Sequence, residues 1–328
     1  MDKLSIGVIG TGHMGQNHVR VLSESAHFDL IGIHDADPVQ AEKVAARYGT
    51  VYVPDMEELL YHVKAVVIAV PSSLHKEIGL QAAEHGVHAL IEKPLATNSA
   101  DARKLTDAFA AKGLKLSVGH IERFNPVIQE LEKMLQNEQA FYLEAQRFGP
   151  FSGSGRISDV GVIEDLMIHD VDLICHLMEP YQVKTIQGWG EKVCSGKTDF
   201  ATCVLHFDSN AHAVIQASRV SQDKERSICI HTAESTIRAN LLLRTLTVSK
   251  NTGILIDGIH DTTYRQDGIL QKIFVPIREP LAAELTAFYE AVMQDTPVEV
   301  DGEAGIRAVT ICEQAQNFVQ INNGGNPL

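Results

Sequence analysis

Cysteine is scarce in this chain: five residues among 328, at scattered positions and without a Cys-x-x-Cys pair. This pattern argues against a disulfide-stapled scaffold and against a structural zinc site. It fits a reducing compartment, so we expect a cytoplasmic protein. No apolar run approaches the ~18 residues of a membrane-spanning helix, and no signal-peptide pattern precedes the first strand-like segment. We therefore expect no membrane partner.

Basic residues are also few, with 28 Lys and Arg against 42 Asp and Glu, for a formal net charge of -14. An acidic chain has no general attraction for phosphate backbones, so we expect no nucleic-acid partner. A local basic pocket for a small anion remains compatible with this balance. The contents of 45% hydrophobic and 21% charged residues are ordinary for a soluble globular protein.

The first part of the chain alternates between strand-like runs and helix-like segments. The strand-like runs are Leu4–Ile9, Phe28–His34, Ala65–Val70, Val87–Ile91 and Lys115–Val118. The helix-like segments are His13–Ser23, Pro38–Tyr48, Leu74–His85 and Asp101–Lys112, and Asn98 or Ser99 is the candidate cap of the last one. Such alternation predicts βαβ units and a parallel sheet. After about residue 122 most segments are strand-like runs separated by turn signals, which predicts a largely antiparallel sheet. The predicted fold class is therefore α/β, with a dinucleotide-binding domain at 1–121 and a second α/β domain at 122–328 built on a large, mainly antiparallel open sheet.

The segment VIGTGHMGQNH places Gly10, Gly12 and Gly15 in a Gly-x-Gly-x-x-Gly pattern between a strand and a helix. In a dinucleotide-binding unit these glycines allow the tight turn, the approach of the pyrophosphate and close packing of helix on strand. An acid, Asp35, follows at the end of the second strand, where it would accept hydrogen bonds from the ribose hydroxyls. A carboxylate there disfavours a 2′-phosphate, so the expected cofactor is NAD rather than NADP. The other interpretation is a packing turn followed by a solvated acid.

Two further strands end in residues suited to this cofactor. One ends in VVIAVPSSLH, and the next ends in Glu92, Lys93 and Pro94. Because ligands bind beyond the carboxyl ends of such strands, Lys93 is expected near the nicotinamide, with Pro94 fixing its direction and Glu92 holding it. The residues predicted to bind the cofactor are Gly10, Thr11, Gly12, His13, Met14, Gly15, Asp35, Val70, Pro71, His75, Glu92 and Lys93.

The apolar segment DVGVIEDLMIHDVDLICHLM carries a narrow polar stripe. At 100° per residue, Asp165, His169, Asp172 and His176 fall on one side of a regular helix. His169 is the candidate general base, oriented by Asp165 four residues earlier. A metal site and a purely structural network are alternatives, and no metal is our prediction. Asp170 falls in the apolar arc, so we expect it to be buried and paired.

Together the motifs GTGHMG, AVPSSLH, EKPLA, VGHIERFNP and DLMIHDVD resemble the glucose–fructose oxidoreductase / inositol dehydrogenase (Gfo/Idh/MocA) family along essentially the whole chain. The resemblance implies a Rossmann domain, a large open sheet through which members pair into dimers or tetramers, and oxidation of a sugar or nucleotide-sugar hydroxyl. It assigns Lys93, Asp165 and His169 to catalysis and Asp172 to the substrate. The sequence His120-Ile121-Glu122-Arg123 departs from the commoner aromatic or Asn followed by Arg-Arg.

The form GHIERFNP resembles instead the nucleotide-sugar branch of the family, the UDP-N-acetylglucosamine 3-dehydrogenases of lipid A amino-sugar synthesis. A UDP-sugar would need cations for its diphosphate, and Arg123, Arg147 and Arg156 are the candidates. Solvated surface arginines are the alternative for each. An inositol or free-sugar dehydrogenase is the alternative enzyme, and a non-catalytic nicotinamide-binding regulator is the alternative of another class.

Overall fold

The computed structural model describes residues 2–151, 160–256 and 264–323. The chain forms two compact units. Unit 1 consists of Met1–Phe124 and Glu279–Glu313, and unit 2 consists of Asn125–Arg278 and Gln314–Leu328. The residues of unit 1 are therefore not continuous in the sequence.

Unit 1 is built on a five-stranded parallel sheet in the order β2-β1-β3-β4-β5. Its strands are β1 (Leu4–Ile9), β2 (Phe28–His34), β3 (Ala65–Ile68), β4 (His88–Glu92) and β5 (Leu116–Gly119). Its helices are α1 (His13–Glu24), α2 (Pro38–Tyr48), α3 (Met56–His62), α4 (His75–Glu84) and α5 (Ser99–Ala111), followed late in the chain by α8 (Pro280–Met293) and most of α9 (Gly302–Asn323). The strand order reverses at β1 and β3, so a crevice for a ligand opens beyond their carboxyl ends.

Local sequence signals set the ends of these helices. The Asp37 carboxylate accepts hydrogen bonds from the first turn of α2, and Gly49 ends that helix in the left-handed conformation. Asn98, one of the two candidate caps, caps α5 in the same way. These caps explain why the predicted and observed bounds of α2 are the same.

Unit 1 differs from the predicted domain 1–121 because two late helices complete its core. Leu281, Leu285 and Phe288 of α8 belong to the same buried cluster as Leu4 and Val8 of β1. On another part of the sheet, Val300, Ala304 and Ile306 join a second buried cluster. Residues 279–313, assigned from the sequence to the second domain, therefore lie in unit 1.

Unit 2 holds an eight-stranded mixed sheet in the order β13-β12-β11-β10-β6-β9-β8-β7. Its strands are β6 (Ala140–Phe148), β7 (Val183–Glu191), β8 (Phe200–Phe207), β9 (His212–Ser218), β10 (Glu225–Thr232), β11 (Ser235–Asn240), β12 (Thr245–Ile256) and β13 (Tyr264–Phe274). Strands β6 and β9 pair in parallel, and the other pairs are antiparallel. Its helices are α6 (Pro126–Leu135) and α7 (Ile168–Leu177), the latter preceded by a π turn at Ile163–Met167. The α/β fold with a large, mostly antiparallel second sheet is confirmed.

The sheet of unit 2 has one covered face and one open face. Along β8 and β9, Ala201, Cys203, Leu205 and Ile215 are buried, whereas the alternate residues of these strands are mostly half-exposed. Alternation of this kind is expected of an antiparallel sheet with one face packed on helices. Among the described helices, none combines the length and apolar character needed to cross a bilayer.

Candidate active site

The glycine turn between β1 and α1 is shaped for close backbone packing. Gly10 has φ +95°, and a Cβ there would lie 2.5 Å from the carbonyl oxygen of Ala69. A Cβ on Gly15 would lie 1.9 Å from the carbonyl oxygen of Gly10, so only glycine fits either position. The N-terminus of α1 has no side-chain cap, which leaves its first N–H groups available to an anion. These features fit a dinucleotide pyrophosphate at the end of β1.

Asp35 is tied to this turn. Its Oδ2 accepts hydrogen bonds from the Thr11 N–H (2.6 Å) and the Thr11 hydroxyl (2.8 Å), and its Oδ1 accepts one from the N–H of Asp37 (2.9 Å). Burial by itself would raise the pKa of Asp35, but the hydrogen bonds from Asp37 and Thr11 outweigh it and leave the pKa below its ordinary value. Asp35 is therefore an ionised, oriented acceptor where the ribose of a dinucleotide would lie.

The ends of β3 and β4 are held together by His75, the first residue of α4. Its ring is buried, with Nδ1 2.7 Å from the carbonyl oxygen of Pro94 and Nε2 3.0 Å from that of Val70. Burial lowers the pKa of His75, while the two carbonyl contacts act in the opposite direction. The Lys93–Pro94 peptide bond is cis, and the Lys93 side chain is half-buried. His75, predicted to contact the cofactor, thus also fixes the chain that carries Lys93.

Behind Lys93 the carboxylate of Glu92 is buried and paired. Its Oε1 lies 2.8 Å from Nε2 of His18, and its Oε2 accepts a hydrogen bond from the N–H of Lys93 at 3.3 Å. His18 lies on the buried face of α1 with Gly15, Val19 and Leu22. The sequence reasoning missed His18, although its spacing from Gly15 places it on the helix face that packs against the sheet.

Of the other predicted cofactor residues, Thr11 is buried and His13 is exposed at the first turn of α1. Met14 and Val70 are half-buried, and Pro71 is exposed. The structure brings the glycine turn, Asp35, the end of β3 and the end of β4 to the same edge of the sheet in unit 1. This is the edge at which parallel α/β sheets bind ligands.

In unit 2 the helix that carries His169 is not regular. Residues Ile163–Met167, which include Asp165, form a π turn, and the α-helix begins only at Ile168. A π turn is wider than an α turn, so the 100° spacing used to place Asp165 on the predicted stripe does not apply there. Asp165 and His169 are both half-buried, while Asp172 is buried at 2% exposure.

The predicted stripe is also interrupted at its other end. The Nε2 atom of His176 lies 2.7 Å from a carboxylate oxygen of Glu132 in α6. The other ring nitrogen of His176, Nδ1, lies 3.8 Å from a carboxylate oxygen of Glu179, so both ring nitrogens face carboxylates of unit 2. Single-turn π segments occur frequently at functional sites, which singles out the Asp165 and His169 end of the helix.

The start of this helix is anchored to the end of the β7–β8 loop. Asp199, which is fully buried, accepts hydrogen bonds from three successive loop N–H groups, each at 2.8 Å. Burial would raise its pKa, but these bonds and the Ser195 hydroxyl lower it to about 2. The neighbouring Thr198 accepts a hydrogen bond from the N–H of Val162, and Arg219 donates one to the carbonyl of Val160. These two hydrogen bonds hold residues 160–162, just before the π turn, against other parts of unit 2.

Arg147, predicted to bind a diphosphate, is engaged elsewhere. Its guanidinium donates two hydrogen bonds of 2.9 Å to the Asp170 carboxylate, and both residues are almost completely buried. This confirms the expectation that Asp170 is buried and paired. The pair occupies Nε and one terminal nitrogen of Arg147, and the role of Arg147 in substrate binding stays a prediction.

The other predicted substrate residues are not tested. Arg123 is 2% exposed within the turn at Ile121–Phe124 of unit 1. Arg156 lies outside the described residues. Within the described residues no group of three or more His, Cys, Asp or Glu side chains is arranged to hold a metal ion.

Comparison with known proteins places this geometry in a family. Residues 4–120 match the oxidoreductase family with an NAD-binding Rossmann fold, and residues 141–238 match the GFO/IDH/MocA C-terminal domain. A UDP-N-acetylglucosamine 3-dehydrogenase from Acidithiobacillus ferrooxidans is 33% identical over 325 residues, covering 98% of each chain. The chain belongs to the GFO/IDH/MocA oxidoreductase family.

A solved structure and a second relative agree with this assignment. A solved structure of the Acidithiobacillus ferrooxidans enzyme superposes with a TM-score of 0.87 at 31% identity, covering 98% of this chain and 99% of that one. An inositol 2-dehydrogenase from Rhizobium meliloti is 25% identical over 325 residues, with 95% of this chain and 96% of its own covered. The GFO/IDH/MocA protein described here is therefore a nicotinamide-dependent dehydrogenase that acts on CH–OH groups of sugar-like substrates.

Proposed function

We propose that the protein oxidises the 3-hydroxyl of UDP-N-acetylglucosamine. The observation that carries the proposal is the 33% identity, over 98% of both chains, to a dehydrogenase named for that reaction. The form GHIERFNP at residues 119–126 supports the same branch. The chain is also similar to an inositol 2-dehydrogenase over 95% of its length, so a cyclitol or free sugar is the second candidate substrate.

We propose NAD rather than NADP as the cofactor. Asp35 supports this choice, since its ionised carboxylate would accept the ribose hydroxyls and repel a 2′-phosphate. The turn at Gly10–Gly15 and the N-terminus of α1 would hold the pyrophosphate. When bound, the nicotinamide supplies the hydride acceptor.

The remaining chemistry falls to side chains of this chain. In the proposal His169 takes the proton of the reacting hydroxyl as general base, and Asp165 orients its ring. Lys93 donates a hydrogen bond to the same oxygen and stabilises the negative charge that develops on it. Arg123, Arg147, Arg156 and Asp172 are proposed to contact the substrate, with the three arginines as candidates for the diphosphate.

The proposal extends to assembly. We propose that copies of the chain pair through the open face of the unit 2 sheet into a homodimer or homotetramer, working in the cytoplasm. The half-exposed side chains along β8 and β9 support this, because an open face of a large sheet offers a continuous surface to a second copy.

An absorbance screen for NADH formation tests the substrate. The purified protein is offered UDP-N-acetylglucosamine, UDP-N-acetylgalactosamine, free N-acetylglucosamine and myo-inositol, each with NAD and with NADP. We expect turnover with the UDP-sugar and NAD, increased by an aminotransferase that removes the 3-keto product. UDP alone should compete with the substrate. Turnover of myo-inositol with no inhibition by UDP would instead establish the second candidate.

A further inference from the structure

Thr11 joins the glycine turn to the end of β2. The residue is fully buried, and its N–H and hydroxyl both donate hydrogen bonds to Oδ2 of Asp35, at 2.6 and 2.8 Å. The other oxygen, Oδ1, accepts the N–H of Asp37 at 2.9 Å. An ionised carboxylate offers about four acceptor positions, about two on each oxygen, so Thr11 fills Oδ2 while Oδ1 keeps acceptor capacity for a ligand.

Thr11 is itself held by two glutamines from different helices. The side-chain amide of Gln16 in α1 donates a hydrogen bond to the carbonyl oxygen of Thr11 at 3.1 Å, and that of Gln40 in α2 donates one to the same oxygen at 3.3 Å. A backbone rotation that took the Thr11 hydroxyl away from Asp35 would disturb both contacts. The helices that follow β1 and β2 therefore keep this hydroxyl directed at Asp35.

The same hydrogen bonds favour the charged form of Asp35. Burial would raise its pKa, but the N–H of Asp37, the N–H of Thr11 and the hydroxyl of Thr11 lower it, and the neighbouring His34 acts in the same direction. Of the three donors to this carboxylate, only the Thr11 hydroxyl belongs to a side chain. It is therefore the one that a substitution can remove without altering the backbone.

We propose that Thr11 is a positioning residue for cofactor choice: its hydroxyl holds the Asp35 carboxylate in one orientation, which leaves Oδ1 for the ribose hydroxyls of NAD. This rests on the preference for NAD in the proposed function. A carboxylate repels a 2′-phosphate only while it stays close to it. Without the Thr11 hydroxyl, Asp35 is held by backbone N–H groups alone and turns more easily, so the preference depends on this hydroxyl as well as on the charge of Asp35.

Two substitutions separate the hydroxyl of Thr11 from its shape. Thr11→Val keeps the branched shape and loses the hydroxyl, whereas Thr11→Ser keeps the hydroxyl and loses a methyl group. Thr50→Val is the matched control, because the Thr50 hydroxyl is buried in the same unit and has no hydrogen-bond partner among the described residues. Asp35→Asn, which removes the charge itself, is the reference for lost discrimination.

Fluorescence titrations with NADH and with NADPH measure the two dissociation constants of each variant. In Thr11→Val we expect the ratio of the Kd for NADPH to the Kd for NADH to fall about tenfold, because a hydrogen bond to a charged group contributes about that factor or more. The ratio should fall in Asp35→Asn as well. Thr11→Ser and Thr50→Val should leave it unchanged. General damage to the glycine turn would weaken both cofactors equally, so it would not move this ratio.

A second measurement follows Asp35 without any cofactor. NMR titration of isotope-labelled aspartate carboxyl groups, with the Asp35 signal assigned by its loss in Asp35→Asn, should show a higher pKa of Asp35 in Thr11→Val. The pKa should be unchanged in Thr11→Ser and Thr50→Val. Thermal unfolding shows that each variant is folded at the temperature of the titrations.

Two results would overturn the role of Thr11: a cofactor ratio that Thr11→Val leaves unchanged, or an Asp35 titration that does not respond to this substitution. Failure of the proposed cofactor preference is a different result, since it would show as equal affinity of the unaltered protein for NADH and NADPH. A clear preference for NADH that survives in Thr11→Val would refute only the role of Thr11.

Discussion

Asp35 shows how one carboxylate joins two parts of a binding edge. It accepts three hydrogen bonds, two from Thr11 in the glycine turn and one from the backbone of Asp37. These bonds fix its orientation before any cofactor arrives, which lowers the ordering cost of binding.

The proposed role of His169 as general base can be tested with a single substitution. Replacement of His169 by Ala should lower turnover by about 10²–10⁴-fold, the usual contribution of a positioned acid or base. NADH affinity should be unchanged, because the residues proposed to bind the cofactor lie in unit 1. Steady-state kinetics with the substrate found in the screen, together with fluorescence titration of NADH, measure both quantities.

His176→Ala is the matched control for that variant. It removes a second histidine from the same helix, but one that pairs with Glu132 of α6. Its turnover should stay within a few-fold of the unaltered enzyme. Near-normal turnover in His169→Ala, or an equal loss in both variants, would remove His169 from the role of general base.

Single residues also show how far sequence reasoning reaches. The glycine turn, Asp35 and Lys93 were placed from the sequence because strand ends in a parallel sheet meet at one edge, whatever the rest of the fold. The Arg147–Asp170 pair was not, since its partners are 23 positions apart on a strand and a helix. Long-range pairing of this kind leaves no periodic signal, so no partner for Asp170 could be named from the sequence.

At the scale of elements, the most accurate predictions were those with chemical end signals. The strands at Leu4–Ile9 and Phe28–His34 and the helix at Pro38–Tyr48 have the bounds predicted from the sequence. The short helix at Met56–His62 was missed, because seven residues show too little periodicity to detect. The π turn before His169 was also missed, since no residue type in the apolar segment marks it.

Helix α8 carries an acid in its buried face. Glu284 is 1% exposed beside Leu281, Leu285 and Phe288, and its carboxyl oxygens have no hydrogen-bond partner among the described residues. Burial raises its pKa well above the ordinary value, so the folded protein keeps it protonated where the unfolded chain would not. Its contribution to stability is complete below the unfolded pKa and is lost as pH rises toward the folded one.

Glu284→Gln should therefore stabilise the protein at alkaline pH. The amide is neutral at every pH, so the gap in unfolding free energy over the unaltered protein should widen with pH above about 4.5, by at most about 1.4 kcal/mol per pH unit. Urea unfolding at about pH 5, 7 and 9 measures it. Glu290→Gln, at an exposed position of the same helix, should show a constant gap. A constant gap in Glu284→Gln as well would mean that Glu284 is not neutral in the folded state.

At the scale of the whole molecule, the change from alternating to strand-rich sequence places the predicted division at residue 121, and the first segment of unit 1 ends at Phe124. The sequence did not predict that residues 279–313 belong to unit 1. The sequence of an amphipathic helix shows that one face is apolar, but it does not show which sheet that face packs against. Tyr289 is one of the residues that attach α8 to the rest of unit 1. Its ring packs edge-on against Phe28, and its hydroxyl donates a hydrogen bond to the carbonyl of Asp2.

The proposed homo-oligomer makes a prediction at this scale. Val204 and Val214 lie opposite one another on β8 and β9, half-exposed on the open face. Light scattering should give a mass two or four times the 35.9 kDa of one chain, and Val204→Lys should reduce it by placing a charge in the interface. Val39→Lys, the same substitution at an exposed valine of α2, should leave the mass unchanged. A single-chain mass for the unaltered protein would contradict the proposal.

Because unit 1 is made of two separate stretches of sequence, its two parts are synthesised at different times. Strands β1 to β5 leave the ribosome first, but α8, whose Leu281, Leu285 and Phe288 complete their core, follows about 150 residues after Phe124. At translation rates of about 5–20 residues per second, that interval lasts roughly 8–30 s. For that time the cofactor-binding sheet is synthesised but uncovered on one part of its apolar surface. The nucleotide-binding half is thus completed only after residues 279–313 have been synthesised.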